Sequence, residues 1–153
     1  MVHLKSVKSP CVGVCSTGIG DSVCRGCKRY MHEIVDWNAY SAEERASVIG
    51  RISNLVQQVA EPVIEIVDVE QFHQALKYQH VRFDELAGPY VWLLELLKVG
   101  ASSIESLEPF ACRIRPAFAG RSLIELREQI DKDFFTLSQV HYERYFPQHK
   151  SKS

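Results

Sequence analysis

Four cysteines fall within seventeen residues, as Cys11-x3-Cys15-x8-Cys24-x2-Cys27, and no other feature restricts the fold as tightly. The same stretch, residues 9 to 29, holds Pro10, Gly13, Gly18, Gly20 and Gly26, so it reads as loop and tight turn with no apolar face of its own. Such a segment needs another source of folding energy. Four thiolates converging on a metal supply it, because metal binding then becomes part of the folding free energy. The total of five cysteines is odd for a secreted disulfide scaffold, and tight clustering in a reducing compartment points to metal ligation instead. A four-thiolate zinc site and a four-cysteine iron–sulfur cluster both require this donor set, and spacing leaves the two open. Cys24-Arg-Gly-Cys27 is not placed as a thioredoxin-like dithiol, which belongs at a helix start after a strand. The fifth cysteine, Cys112 in Phe110-Ala-Cys-Arg, reads as a small buried apolar residue.

Composition excludes collagen, fibre and wholesale disorder: 46% of the 153 residues are hydrophobic, 24% are charged, and the net charge is -1. No apolar run approaches the roughly 20 residues of a membrane helix, and Met1-Val2-His3-Leu4-Lys5 lacks the apolar core of a signal peptide. A cytoplasmic protein with no membrane association is expected. Residues 1–60 carry seven Lys/Arg against five Asp/Glu, and residues 61–153 carry eleven against fourteen. Arg25, Lys28 and Arg29 form a candidate basic collar around the cysteines that could offset their charge, contact phosphate or simply be solvated, the last being commonest for surface cations.

The remaining chain reads as mainly helical. A short helix is expected over Tyr30 to Trp37, with Ile34 and Trp37 on one face under the cysteine loop. Ser41-Ala-Glu-Glu44 and Ser122-Leu-Ile-Glu125 are capping boxes, each opening a helix. The first carries Ile49, Ile52, Leu55, Val56 and Val59 inward and stops at Pro62. The second is the longest, with Leu123, Leu126, Ile130, Phe134, Leu137, His141 and Tyr145 inward. Asp68 caps a further helix, and Pro89 starts another that ends near Gly100. Val63-Ile-Glu-Ile-Val67 is either one short strand or an extended connection. Three parts follow: residues 1–60, the four-cysteine segment with its supporting helices; residues 61–147, a helical domain; and residues 148–153, a frayed tail.

Ser9-Pro-Cys11, Gly13-Val-Cys15, Cys24-x-Gly-Cys27, Arg29, Glu33-Ile34, Trp37 and Glu44-Arg45 resemble the bacterial domain-of-unknown-function 1289 family over about residues 9 to 55. The resemblance implies that Cys11, Cys15, Cys24 and Cys27 are the ligands and that their occupant is an iron–sulfur cluster, as members are labelled predicted iron–sulfur proteins. Where that family places a threonine after the arginine, this chain has Tyr30, a change expected to alter packing beside the cluster.

No catalytic constellation stands elsewhere. Glu70-Gln-Phe-His73 has the Glu-x-x-His spacing of di-iron helices, but no second copy exists. Gly18-Ile-Gly20 lacks the third glycine of a dinucleotide fingerprint, and no nucleophile elbow is present. The expectation is therefore a metal-binding protein rather than an enzyme by itself, with an iron–sulfur cluster for electron transfer or redox sensing. The alternative is a structural zinc knuckle in an adaptor that binds a protein or RNA partner. A protein partner fits better, because one aromatic, Tyr30, among the basic residues and a net charge of -1 make a poor nucleic-acid footprint.

Overall fold

A computed structural model describes residues 21–146. Cys11, Cys15, the glycines at 13, 18 and 20, and the expected tail at 148–153 lie outside the described residues. The described chain is mainly helical with one small sheet. Its elements are α1 (Met31–Asp36), α2 (Ala42–Ala60), β1 (Ile64–Ile66), α3 (Val69–Tyr78), α4 (Pro89–Gly100), β2 (Cys112–Ile114) and α5 (Leu123–Tyr145). Short 3-10 turns at Trp37–Ala39, Glu108–Phe110 and Pro116–Phe118 join them.

The helices start where the chain supplies a partner for the first unpaired amides. Ser41 Oγ accepts from Glu44 N at 3.1 Å while Glu44 Oε1 accepts from Ser41 N at 2.9 Å, which is the reciprocal capping box. Ser122 Oγ accepts from Glu125 N, and Asp68 Oδ1 from Gln71 N, both at 3.1 Å. Pro89 opens α4 at a position where its missing N–H costs nothing.

One apolar core joins α2, α3, α4, the sheet and most of α5. Ile52, Val56, Phe72, Leu76, Leu93, Leu97, Leu126 and Ile130 are all buried in it. Trp37 reaches the same core from the turn after α1, but Ile34, expected beside it, is only partly buried, and the buried residue of α1 is Glu33. No helix among the described residues is long and apolar enough to cross a membrane.

Among the described residues there are two strands where the sequence suggests one short strand or an extended connection. Val63 to Val67 does supply β1, and it pairs antiparallel with β2 in the register Ile64 with Ile114, Glu65 with Arg113 and Ile66 with Cys112. Only three residues of β2 carry the ladder, between a 3-10 turn at Pro109 and another at Pro116, too short for alternation to register. Cys112 is 3% exposed. Its thiol donates to Phe110 O at 3.4 Å, and burial pushes its pKa up to about 12, so it behaves as the apolar residue the sequence suggests.

The inner face of α5 departs from its sequence spacing at the C-terminal end. Leu123, Leu126, Ile130 and Phe134 are buried as expected, but Ser138 and Tyr142 follow them inward while Tyr145 is 57% exposed. Tyr142 lies about 80° around the helix from Phe134 at 100° per residue. The stripe turns because the partner changes: Tyr142 packs in a second cluster with Val23 and Tyr30, flanked by Phe135 and Phe146.

Candidate metal centre

Residues 22–31 form a tight hairpin around Cys24-Arg25-Gly26-Cys27. Cys24 N donates to Arg29 O at 2.9 Å, Lys28 N to Cys24 O at 2.8 Å, and Met31 N to Ser22 O at 2.8 Å. Val23 and Tyr30 face each other as an antiparallel bridge. The fold thus brings Cys24 and Cys27 onto one turn, both buried. Among the described residues no group of three or more His, Cys, Asp or Glu could hold a metal ion; the other two expected ligands, Cys11 and Cys15, lie outside them.

The turn closes through Lys28, whose φ of 64° lies in the left-handed region. A non-glycine residue there costs about 1 kcal/mol or more. Its side chain gives a reason to keep it: Nζ is buried, donates to Asp131 Oδ1 of α5 at 2.6 Å and to Arg25 O at 2.5 Å, and lies 5.1 Å from the Phe134 ring centroid. Lys28 is therefore a structural tether and not a solvated charge. Arg25 fits the solvated reading: it is exposed, pairs with Asp21 at 3.1 Å and lies over the Phe135 ring.

Arg29 is the member of the collar that touches a ligand sulfur. Only 4% exposed, it donates from Nε to Cys27 Sγ at 3.4 Å, with its guanidinium 4.9 Å from the Trp37 ring centroid. Among the described residues it has no carboxylate partner, and residues 1–20 and 147–153 contain no Asp or Glu. A buried cation without an anion is costly by several kcal/mol. Among the described residues the group within reach of this donor that can become an anion is the Cys27 sulfur. Burial pushes the Cys27 thiol up, and the Arg29 hydrogen bond opposes it without prevailing. A metal ion displacing the thiol proton would complete the balance. The donor set therefore fits a metal centre.

A second layer fixes this hairpin to the helices. Glu33, 4% exposed, accepts from Tyr30 N at 2.8 Å through Oε1 and forms a bidentate pair with Arg51 of α2. The Arg51 guanidinium lies 3.9 Å from the Tyr30 ring centroid, and its Nε is buried without a hydrogen-bond partner among the described residues. Tyr30 is fully buried, against Tyr142 and Phe146 of the C-terminal end, and its hydroxyl meets His141 Nδ1 at 2.6 Å. Burial raises the Tyr30 pKa to about 12, so the phenol donates and the imidazole accepts. Sequence reasoning missed Glu33, Arg51 and His141 as parts of one site; the Tyr30–His141 contact spans 111 positions.

A pH dependence follows. Burial, then the Arg51 charge, lower the His141 pKa from its ordinary value near 6.5. The unfolded chain takes up this proton before the folded one does, so stability present above about pH 6.5 is lost as pH falls toward the depressed folded value. The thermal midpoint should decline over that interval, and His141→Gln should flatten this part of the profile. An unchanged slope in the variant would remove His141 as the cause.

The Glu-x-x-His motif has an ordinary explanation, since His73 meets Glu85 at 2.8 Å on the surface. Residues 9–55 match the family described as Protein of unknown function (DUF1289), a span covering all four clustered cysteines, α1 and most of α2. No curated protein and no solved structure matches the chain.

Proposed function

We propose, with residues 9–55 placed in that family, that Cys11, Cys15, Cys24 and Cys27 hold one metal centre and that the protein acts through an iron–sulfur cluster there, in electron transfer or redox sensing. The observation that carries the reading is the buried Arg29 guanidinium, which has a cysteine sulfur where a buried arginine ordinarily has a carboxylate. When bound, such a cluster supplies one-electron chemistry. The chain's own residues do the rest. Arg29 offsets thiolate charge at Cys27, Trp37 stacks its ring on the Arg29 guanidinium, and Lys28 ties the turn to Asp131. Hydrogen bonds to sulfur and burial are the means by which proteins tune such a centre.

A structural zinc ion is the second reading, favoured by the compact Val23–Tyr30 hairpin that sets two sulfurs on one turn. Four protein thiolates close a zinc site and leave no position for water, so the chain would then serve as an adaptor for a protein or RNA partner. Anaerobic purification followed by a visible spectrum and assay of iron, zinc and acid-labile sulfide on one sample separates the two. Matching iron and sulfide with visible absorption supports the cluster; one zinc per chain in a colourless sample supports the adaptor; neither metal rejects both.

Arg29→Gln removes the charge but keeps a hydrogen-bonding amide. Metal retention against a chelator should weaken by about tenfold or more, the usual effect of losing a group that supports a ligand. Arg25→Gln, at an exposed position, should retain metal like the parent. Equal loss in both variants would deny Arg29 its special role.

A further inference from the structure

The C-terminal end of α5 packs on the cysteine hairpin through His141 and Tyr142. The main apolar core takes Phe134 and, at its margin, Leu137. Beyond that, Val140 and Tyr145 are more than half exposed, whereas Tyr142 is 2% exposed. The buried neighbours of Tyr142 among the described residues are Val23 and Tyr30, the two bridge residues of the hairpin. Its hydroxyl hydrogen-bonds Ser22, and His141 beside it takes the Tyr30 hydroxyl. Phe146 closes the cluster, its ring centroid 5.3 Å from Tyr30 and 5.0 Å from His32.

The hairpin also stands partly off the main core. A groove of about 370 Å³ lies between Arg25–Gly26 at its tip and Leu94, Lys98, Arg127 and Asp131 on α4 and α5. A ten-residue hairpin with one bridge pair has little stability alone. Beyond the Lys28–Asp131 and Glu33–Arg51 tethers, its shape rests on the thiolate centre proposed above, and the end of α5 depends on its shape.

We propose that the metal centre holds residues 138–146 in place, so that losing the metal releases the end of α5 and uncovers Tyr142 and Phe146 while the main core stays folded. The inference rests on the function proposed above and adds its readout: the state of the centre is passed to a helix end more than a hundred positions away in sequence. Linkage makes the coupling reciprocal, so loosening that helix end must weaken metal retention by the same factor.

Amide hydrogen exchange of the full chain, with metal bound and after removal by a chelator, tests this. Residues 138–146 should exchange about tenfold faster or more without metal, as expected for a docked unit set free, while the α4 amides at 93–97 keep their protection. Tyr142→Ala with metal bound should already exchange fast at 138–146 and should lose metal to the chelator more readily. Unchanged protection at 138–146 beside faster exchange at 23–30 overturns the inference and leaves the metal site standing. Equal acceleration in α4 overturns it too, because the response is then global. A chain that elemental analysis finds metal-free overturns the function and the inference together.

Discussion

Cys24→Ser is expected, if the proposed centre forms, to reduce metal content to about a tenth of the parent or less, since a serine hydroxyl then replaces one of its four thiolates. Among the described residues, those from 21 to 36 should be destabilised together. Cys24 is buried, and its backbone makes both closing hydrogen bonds of the turn, to Arg29 O and from Lys28 N. The loss of the centre should also leave Arg29 without its anion. Cys112→Ser is the control, because Cys112 sits on β2 in the main core with its thiol bonded to Phe110 O. Metal per chain, measured on both variants, should fall in the first and hold in the second. Equal loss in the two would overturn the ligand assignment.

Glu33→Gln should have the largest effect on stability away from the cysteines. The carboxylate is buried, caps Tyr30 N and pairs with Arg51 through both oxygens. Its neutral amide leaves the Arg51 cation beneath the Tyr30 ring without a counter-charge, and breaking a buried pair from one side costs about 3–5 kcal/mol. For a chain of this size that is about 10 °C in thermal midpoint. Replacing both members, as Glu33→Gln with Arg51→Met, should recover part of the loss, because the orphaned charge is then gone. A midpoint within about 2 °C of the parent in the single variant would show that water solvates Arg51 there.

What the sequence disclosed follows from range. The capping box at Ser41, the side-chain caps at Ser122 and Asp68 and the proline start at Pro89 involve residues at most three apart, and each helix begins where they place it, although at Ser122 the return bond of the expected box is not made. Cys24 and Cys27 are equally local and do share a turn. Features made by distant partners were hidden. Glu33 on a six-residue helix looks like a surface charge until Arg51 comes in from α2. Lys28 looks solvated until Asp131, 103 positions away, accounts for it. The rotation of the buried stripe on α5 has the same origin, since helical periodicity carries no information about a change of partner. β2 escaped notice because three residues cannot display a period.

The β1–β2 ladder has a consequence for the order in which the molecule assembles. Glu65 and Arg113 meet at 2.7 Å across 48 positions, and all of α3 and α4 lies between them. Closing so long a loop costs chain entropy that three residue pairs cannot repay at an early stage. The helices must first draw the ends together. The ladder then closes late and acts as a latch on escape from the native state: its strength belongs to the unfolding rate more than to the folding rate. The small sheet thus sets how long the folded molecule lasts more than how quickly it forms.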